Sequence, residues 1–308
     1  ASGDGGGGGA LLLRPNAAEI SGAVHVHPPP PQDQDDDSSL SSQMTRLGYP
    51  SYSSSNDEAL RRSLASYADL SEPYLGPEGG ETPVFWHIPR SGGETASRVL
   101  GLCLGMVGAG RFGERAVRAK GSTLQVNTSG DGVRYVNVDT TNPEGIQRAR
   151  ELRLIESGLA DFVVTAHVHD ASALFDPASP PSGPPRRGRI LALFRHPVKR
   201  IVSSYYHLSE TDPNVAALSM SDYATSDLSG EDNPLVRSML TLTPAALVST
   251  RHVSEAKAIL SAKILVGITE FMDESLVRFE QYLRRWDALR GDVDGLRCQQ
   301  TRLSEGDR

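Results

Sequence analysis

The chain has 308 residues, enough for one large domain or two small ones. It is 38% apolar with a mean hydropathy of −0.33, low for one compact core. Its net charge of −7 and pI near 5.6 argue against a general nucleic-acid binder, which carries a basic stripe, but leave an anionic ligand open, because a local cluster can oppose the global sign.

The apolar deficit is concentrated at the start. Residues 1–80 carry "GDGGGGG", "HPPPPQDQDDDSSLSSQ" and "SYSSSND". Such a segment buries too little surface to offset its ordering entropy and is expected to be mostly disordered. The acidic "DQDDD" run reads as a solvated linker. His25 and His27 have metal-like spacing but no further ligands, so no metal is expected. No stretch approaches the ~20 apolar residues of a membrane helix, and "ALLL" at 10–13 is too short for a signal-peptide core.

Val84 to Ile88 reads as a short buried strand, followed by a helix from Thr95 to about Val107 that Gly108 and Gly110 stop. Cys103 lies in that apolar pattern and reads as a small buried side chain; one bridge to Cys298 is the alternative, with no spacing to support it. Residues 111–132 show no clear pattern, and "NTS" at 127–129 fits a glycosylation acceptor, a triplet common by chance. "VRYVNVD" (133–139) alternates as a strand; Asn142 then reads as an N-cap, Pro143 as the first helical residue and Gly158 as the stop.

"DFVVTAHV" (161–168) is another apolar strand, and "FDPASPPSGPPRRG" a surface loop. "RILALF" (189–194) is a strand ending at "RHP", and Pro197 opens a helix. Residues 210–233 read as loop-rich; helical patterns follow near 234–241 and 253–262, then a last strand at 263–267. Asp273 is expected to cap a final helix with Leu276, Phe279, Leu283 and Trp286 on one stripe. Strands alternating with helices predict an α/β domain with a mainly parallel central sheet covered on both faces, and ligands in such sheets bind beyond the carboxyl ends of the strands.

Three polar motifs fall at such ends. In "PRSGGET", Gly92 and Gly93 let backbone N–H groups turn inward, a helix N-terminus follows, Arg90 adds a forked charge and Thr95 a hydroxyl. This suits a phosphate but is not a Walker loop, since "GxxxxGK[ST]" is absent. In "RHPVKRIVSS", Arg195 at a strand end and Ser203 eight residues on could hold one phosphate between them. "AHVH" offers His167 as a base. Each motif alone fits an ordinary turn, a surface ion pair or a structural histidine.

Together and in order, they resemble the sulfotransferases that use 3′-phosphoadenosine 5′-phosphosulfate (PAPS), in particular the membrane-anchored carbohydrate group that includes heparan sulfate 2-O-sulfotransferase and the uronyl 2-O-sulfotransferases. There, "PKTGGTT" holds the 5′-phosphosulfate and "RDPxxRxxSxYY" the 3′-phosphate; here the counterparts read "PRSGGET" and "RHPVKRIVSSYY". "VNVDTTNPEG", "FVVTAHVHDASALF", "NPLVRSML" and "AKAILSAKILVGITEFMDESL" resemble further family segments, so the likeness spans about 82–290.

The resemblance implies a P-loop-like three-layer fold at 81–290, after a disordered stem or linker at 1–80 and before a tail at 291–308. It implies a cofactor site of Arg90, Ser91, Gly92, Gly93, Glu94, Thr95, Arg195 and Ser203, with Ser203 also able to contact Arg90. His167 is the implied general base, Arg90 the residue stabilising the leaving phosphate, and Arg237 matches a family arginine. PAPS is the implied co-substrate, with no metal; a glycan hydroxyl, on a sulfated polysaccharide or glycosaminoglycan-like acceptor, is the implied partner. The implied location is the Golgi lumen, as a type II membrane protein whose anchor is not in this sequence. Arg90 replaces the family's lysine, keeping the charge in a bulkier planar group. Glu94 replaces a threonine, and a carboxylate there repels a polyanion unless it points away. Two rivals follow: a non-catalytic relative binding nucleotide or glycan, and a degenerate P-loop kinase or nucleoside triphosphatase, which the missing Walker lysine and aspartate oppose. His87, inside the first strand, is expected to be a satisfied core residue.

Overall fold

The computed structural model describes residues 55–113, 123–175, 185–229, 233–243, 246–284 and 293–306. The expectations for 1–54, for most of the proline-rich loop and for Trp286 lie outside the described residues.

Seven strands form one sheet. In chain order they are β1 (Glu81–Trp86), β2 (Gly108–Ala109), β3 (Val126–Thr128), β4 (Arg134–Val136), β5 (Phe162–Thr165), β6 (Arg187–Phe194) and β7 (Ile264–Ile268). Across the sheet they run β3-β4-β2-β5-β1-β6-β7, all parallel except the β3–β4 pair. The expected α/β class and mainly parallel sheet are therefore observed. β1 lies between β5 and β6, with Trp86 opposite both Thr165 and Ala192.

All six β1 residues are buried, as a strand covered on both faces requires. Val84 and Trp86 join one core with Leu64, Ile146, Ala149, Ala256 and Ile259; Phe85 joins another with Ala96, Val99, Leu276 and Phe279. Helices thus pack on both faces, giving three layers. Pro83 masked the first half of β1 in the sequence, since proline interrupts a ladder. Here it precedes the residue at which β5 joins, Val84.

The helix expected from Thr95 begins at Gly93: α1 (Gly93–Arg98) runs into a π-helical turn, Val99–Cys103. Gly108 opens β2 instead of ending a helix; it sits opposite Phe162 in the ladder, where a Cβ would lie 2.9 Å from that ring. Asn142 caps α2 (Pro143–Glu151) as expected, accepting from Gly145 N–H at 2.8 Å. The pattern expected to run on to Gly158 breaks at Arg153, whose left-handed backbone (φ 57°) starts the separate α3 (Leu154–Ser157). The helix expected to start at an Asp273 cap, α4 (Met272–Tyr282), has Phe271 at its cap instead, and Asp273 sits in its first turn. Short helices Pro213–Ala216 and Met220–Thr225 occupy the region read as loop-rich.

Two terminal expectations are corrected. Residues 55–80, expected to be disordered, are ordered against the sheet, starting with α5 (Ser55–Ala65). Few apolar residues are needed, because each is placed well: Leu64, Tyr67, Ala68 and Tyr74 are buried. Polar contacts supply the rest. Gly188 of β6 exchanges backbone hydrogen bonds with Ser66 and Ala68 at 2.9 Å each, and Lys263 Nζ meets Asp69 Oδ1 at 2.9 Å and Tyr67 O at 2.8 Å. Buried Arg189 of β6 pairs with buried Glu81 of β1 at 2.8 Å and donates to the carbonyls of Asp69, Glu72 and Pro73 and to the Tyr282 hydroxyl. The segment thus provides the oxygens that a desolvated guanidinium demands.

At the other end, the expected tail contains α6 (Val293–Gly306). Cys298 of this helix is disulfide-bonded to Cys103 in the π-helical turn, with Cα atoms 5.5 Å apart. The alternative of one bridge is the correct one. A separation of 195 residues conceals the pairing until α6 is seen to pack on α1.

Glu280 of α4 is fully buried, and burial pushes its carboxyl from 4.5 up to about 7, with the facing Gln299 of α6 opposing this. The folded chain therefore holds a proton that the unfolded chain releases between about pH 4.5 and 7. Stability from this group is complete at the acidic end of that window and declines as pH rises through it. Urea unfolding of wild type should show this decline, and Glu280→Gln should flatten it; equal slopes would refute the assignment.

Candidate functional site

The carboxyl ends of β5, β1 and β6 lie side by side, so the chain segments leaving them meet at one edge of the sheet. From β1 the chain passes through Ile88 and Pro89 into a tight turn. Arg90 takes a left-handed backbone (φ 61°), which costs a non-glycine residue about 1–3 kcal/mol, and Gly92 repeats it at φ 76°. No side chain caps α1, so its first N–H groups stay open toward the turn. The Ser91 side chain is buried and its hydroxyl has no hydrogen-bond partner among the described residues. An unmatched buried hydroxyl costs roughly 1–3 kcal/mol.

From β6 the chain leaves as Arg195-His196 and enters α7 (Pro197–Ser209). Arg195 Nη1 donates to the Arg90 carbonyl at 3.1 Å, so the two motifs, 105 residues apart, are joined directly. Ser203 lies half-buried in the second turn of α7. No hydrogen bond joins it to Arg90 among the described residues, so that expected contact is not formed. Glu94 is exposed, and its carboxylate lies 3.6 Å from Arg98 Nε one helical turn on, while Arg98 also reaches Asp131 at 3.8 Å. The carboxylate is thus engaged along the helix surface. Thr95 is half-buried in the first turn of α1.

β5 ends at Thr165, earlier than expected, because the Thr165 hydroxyl accepts the His167 N–H at 2.9 Å and turns the chain. His167 then precedes the short helix α8 (Val168–Ala171); it is exposed, with Asp170 Oδ2 3.5 Å from Nδ1. His169 does not share its direction. Its Nε2 lies 3.0 Å from the Ser238 carbonyl, so Nε2 carries the proton and Nδ1 accepts from the Ser63 hydroxyl at 2.7 Å. Burial holds this imidazole below its usual pKa, against its bonds to the Ser238 and Met239 carbonyls. It is a structural strap. Arg237 likewise donates to Thr243 O (2.8 Å) and Ala246 O (2.9 Å) and holds a turn. In the "VDTTNP" segment, Asp139 accepts from Thr141 N–H (2.9 Å) and Asn142 Nδ2 (2.8 Å), and the Thr140 hydroxyl reaches Ala109 O and Val164 O, bracing the tips of β2 and β5.

His87 is not the satisfied core residue expected. Its ring has no hydrogen bond among the described residues and packs under the turn, so close that a Cβ on Gly93 would sit 2.6 Å from Nδ1. Burial lowers its pKa, Arg90 and Arg111 reinforce that, and Glu94 opposes it, so the ring is neutral near pH 7.

Two residues at the end of β7 were not singled out from the sequence. The Thr269 hydroxyl lies 2.8 Å from Ser91 O and 3.1 Å from Phe194 O, tying the turn to β6. Glu270 accepts from His196 N–H at 3.2 Å and lies 3.7 Å from Lys199 Nζ. Desolvation is the largest single influence and acts against it, but its own and His196's N–H groups, Lys199 and Arg195 together hold its carboxyl below the usual range. Their position just after an apolar strand was the available signal. Among the described residues, no group of three or more His, Cys, Asp or Glu could hold a metal ion.

No protein-family model, curated protein or solved structure matches this chain.

Gly92 is fixed chiefly by its left-handed φ of 76°; a Cβ there would also lie 2.4 Å from Met272 Cε, the movable end of a flexible side chain. Gly92→Ala should lower the unfolding free energy by about 1–2 kcal/mol, measured by urea titration. Adding Met272→Ala should recover the steric part alone; a neutral Gly92→Ala would contradict this geometry.

Proposed function

We propose that the chain is a PAPS-dependent sulfotransferase with a P-loop-like site, acting on a carbohydrate hydroxyl. The observation that carries this reading is the Arg195–Arg90 hydrogen bond, which sets the phosphate-type turn after β1 and the arginine after β6 at one place. Donors gather there, namely the Arg195 guanidinium, the uncapped N–H groups of α1 and the Ser91 hydroxyl, while the nearby Glu270 carboxylate is engaged by His196 N–H and Lys199. Such a set fits a ligand with a phosphate at each end.

In this reading Arg90, Ser91, Gly92, Gly93 and Thr95 hold the 5′-phosphosulfate, with Glu94 turned outward. Arg195 and Ser203 hold the 3′-phosphate. Bound PAPS supplies an electrophilic sulfur with a phosphate leaving group. His167 takes the proton of the acceptor hydroxyl as its oxygen bonds to sulfur, and the bond from sulfur to the phosphate oxygen breaks. Arg90 balances the charge that develops on the departing phosphate. The Asp170 carboxylate beside Nδ1 leaves Nε2 as the free nitrogen for this step. The acceptor class comes from the sequence resemblance alone. The disulfide agrees with an oxidising compartment such as the Golgi lumen. Among the described residues no helix is long and apolar enough to cross a membrane.

The rival of a non-catalytic relative drew on Glu94. Its engagement with Arg98 weakens that argument, since the carboxylate is drawn along the helix.

Calorimetry with adenosine 3′,5′-bisphosphate should show binding that Arg195→Ala weakens about 10–100-fold, the value of one charged hydrogen-bonding group. His167→Ala should keep that binding and lose transfer of label from [³⁵S]-PAPS to glycan acceptors. No binding by wild type, or equal binding by Arg195→Ala, would reject the site. Undiminished transfer by His167→Ala would reject the base.

A further inference from the structure

We propose that Asn127 is an N-glycosylation site. Asn127-Thr128-Ser129 is the single Asn-x-Ser/Thr triplet in the sequence. By itself such a triplet says little, but the structure adds two independent facts about it.

The first is its place in the fold. The triplet spans β3 and the start of the turn to β4. β3 is the last strand on its side of the sheet among the described residues, paired only with β4. Asn127 is half-exposed, its neighbours Val126 and Thr128 are exposed, and no described residue hydrogen-bonds its side chain. Ser129 opens a compact turn, closed by its N–H to Val133 O at 2.8 Å and by Gly132 N–H to Ser129 O at 2.9 Å. The triplet therefore stands on a short exposed hairpin. Three strands separate β3 from β1, which is roughly 19 Å at ordinary strand spacing. A bulky glycan there leaves the glycine turn open. It also covers an unpaired strand edge bearing the exposed apolar Val126, an edge of the kind that proteins shield against self-association.

The second fact is the Cys103–Cys298 bridge. Bridges of this kind form and persist in oxidising compartments, and the secretory lumen that supports them is also where glycans are attached to asparagine. Glycan attachment at Asn127 does not depend on sulfuryl transfer and would occur without it.

The full chain, expressed behind a cleavable secretion signal in eukaryotic cells, should lose mass in one step on treatment with peptide-N-glycosidase F, leaving aspartate at 127 in the released peptide. Asn127→Gln and Ser129→Ala should abolish the step. Thr128→Ala, which keeps the triplet, should retain it. Thiol labelling under non-reducing conditions follows the bridge in each variant. An unshifted wild-type chain overturns the proposal whether or not the bridge has formed, and so does a shift that survives Asn127→Gln.

Discussion

The structure turns on one constraint: β1 runs parallel between β5 and β6, in a register that ends β1 and β5 level while β6 runs two residues further, to Phe194. Trp86 stands level with Thr165 on one side and Ala192 on the other. Parallel strands send their departing segments off the same end of the sheet, so the segments that carry the glycine turn, His167 and Arg195 leave from one side of the fold without being close in sequence. The Arg195 hydrogen bond to Arg90 O locks two of them together, and Thr269 ties the same turn to the ends of β6 and β7. The strained backbone at Arg90 persists because these contacts hold it from outside.

That edge is supported from both ends of the domain. Below the sheet, the Arg189–Glu81 pair links β6 to β1 and draws residues 69–73 over it. A desolvated ion pair is weak evidence of net stability, but leaving either partner alone would be costly, so the pair fixes how these elements meet. On the face carrying α1, α6 is bonded through Cys298 to the turn that continues α1. The segment bearing the open N–H groups therefore sits on a covalently braced helix, with Glu280 and Gln299 facing each other between α4 and α6.

What the sequence disclosed follows from the range of the interactions. The strands after Asp161 and Arg189 were legible as apolar runs, and the Asn142 cap from three adjacent residues. The glycine turn and Arg195 were legible as strand-end motifs. The ordering of residues 55–80 was not, because it rests on Tyr67, Lys263 and Arg189, which are up to 196 residues apart. The disulfide was hidden for the same reason. His87 was misjudged because strand position gives burial but not hydrogen-bond partners; only the packing of Gly93 against its ring places it under the turn. β5 was read too long because the Thr165 hydroxyl, a local competitor of the ladder, ends it.

The central claim is that the tips of β1 and β6 form one cradle for a doubly phosphorylated adenosine. A crystal structure of the chain with adenosine 3′,5′-bisphosphate tests it most directly. The account requires the 5′-phosphate over the turn at Ser91–Thr95 and the 3′-phosphate on Arg195 and Ser203, with the two joined across the β1–β6 edge. A nucleotide bound elsewhere, or one that touches only one of these two tips, contradicts it.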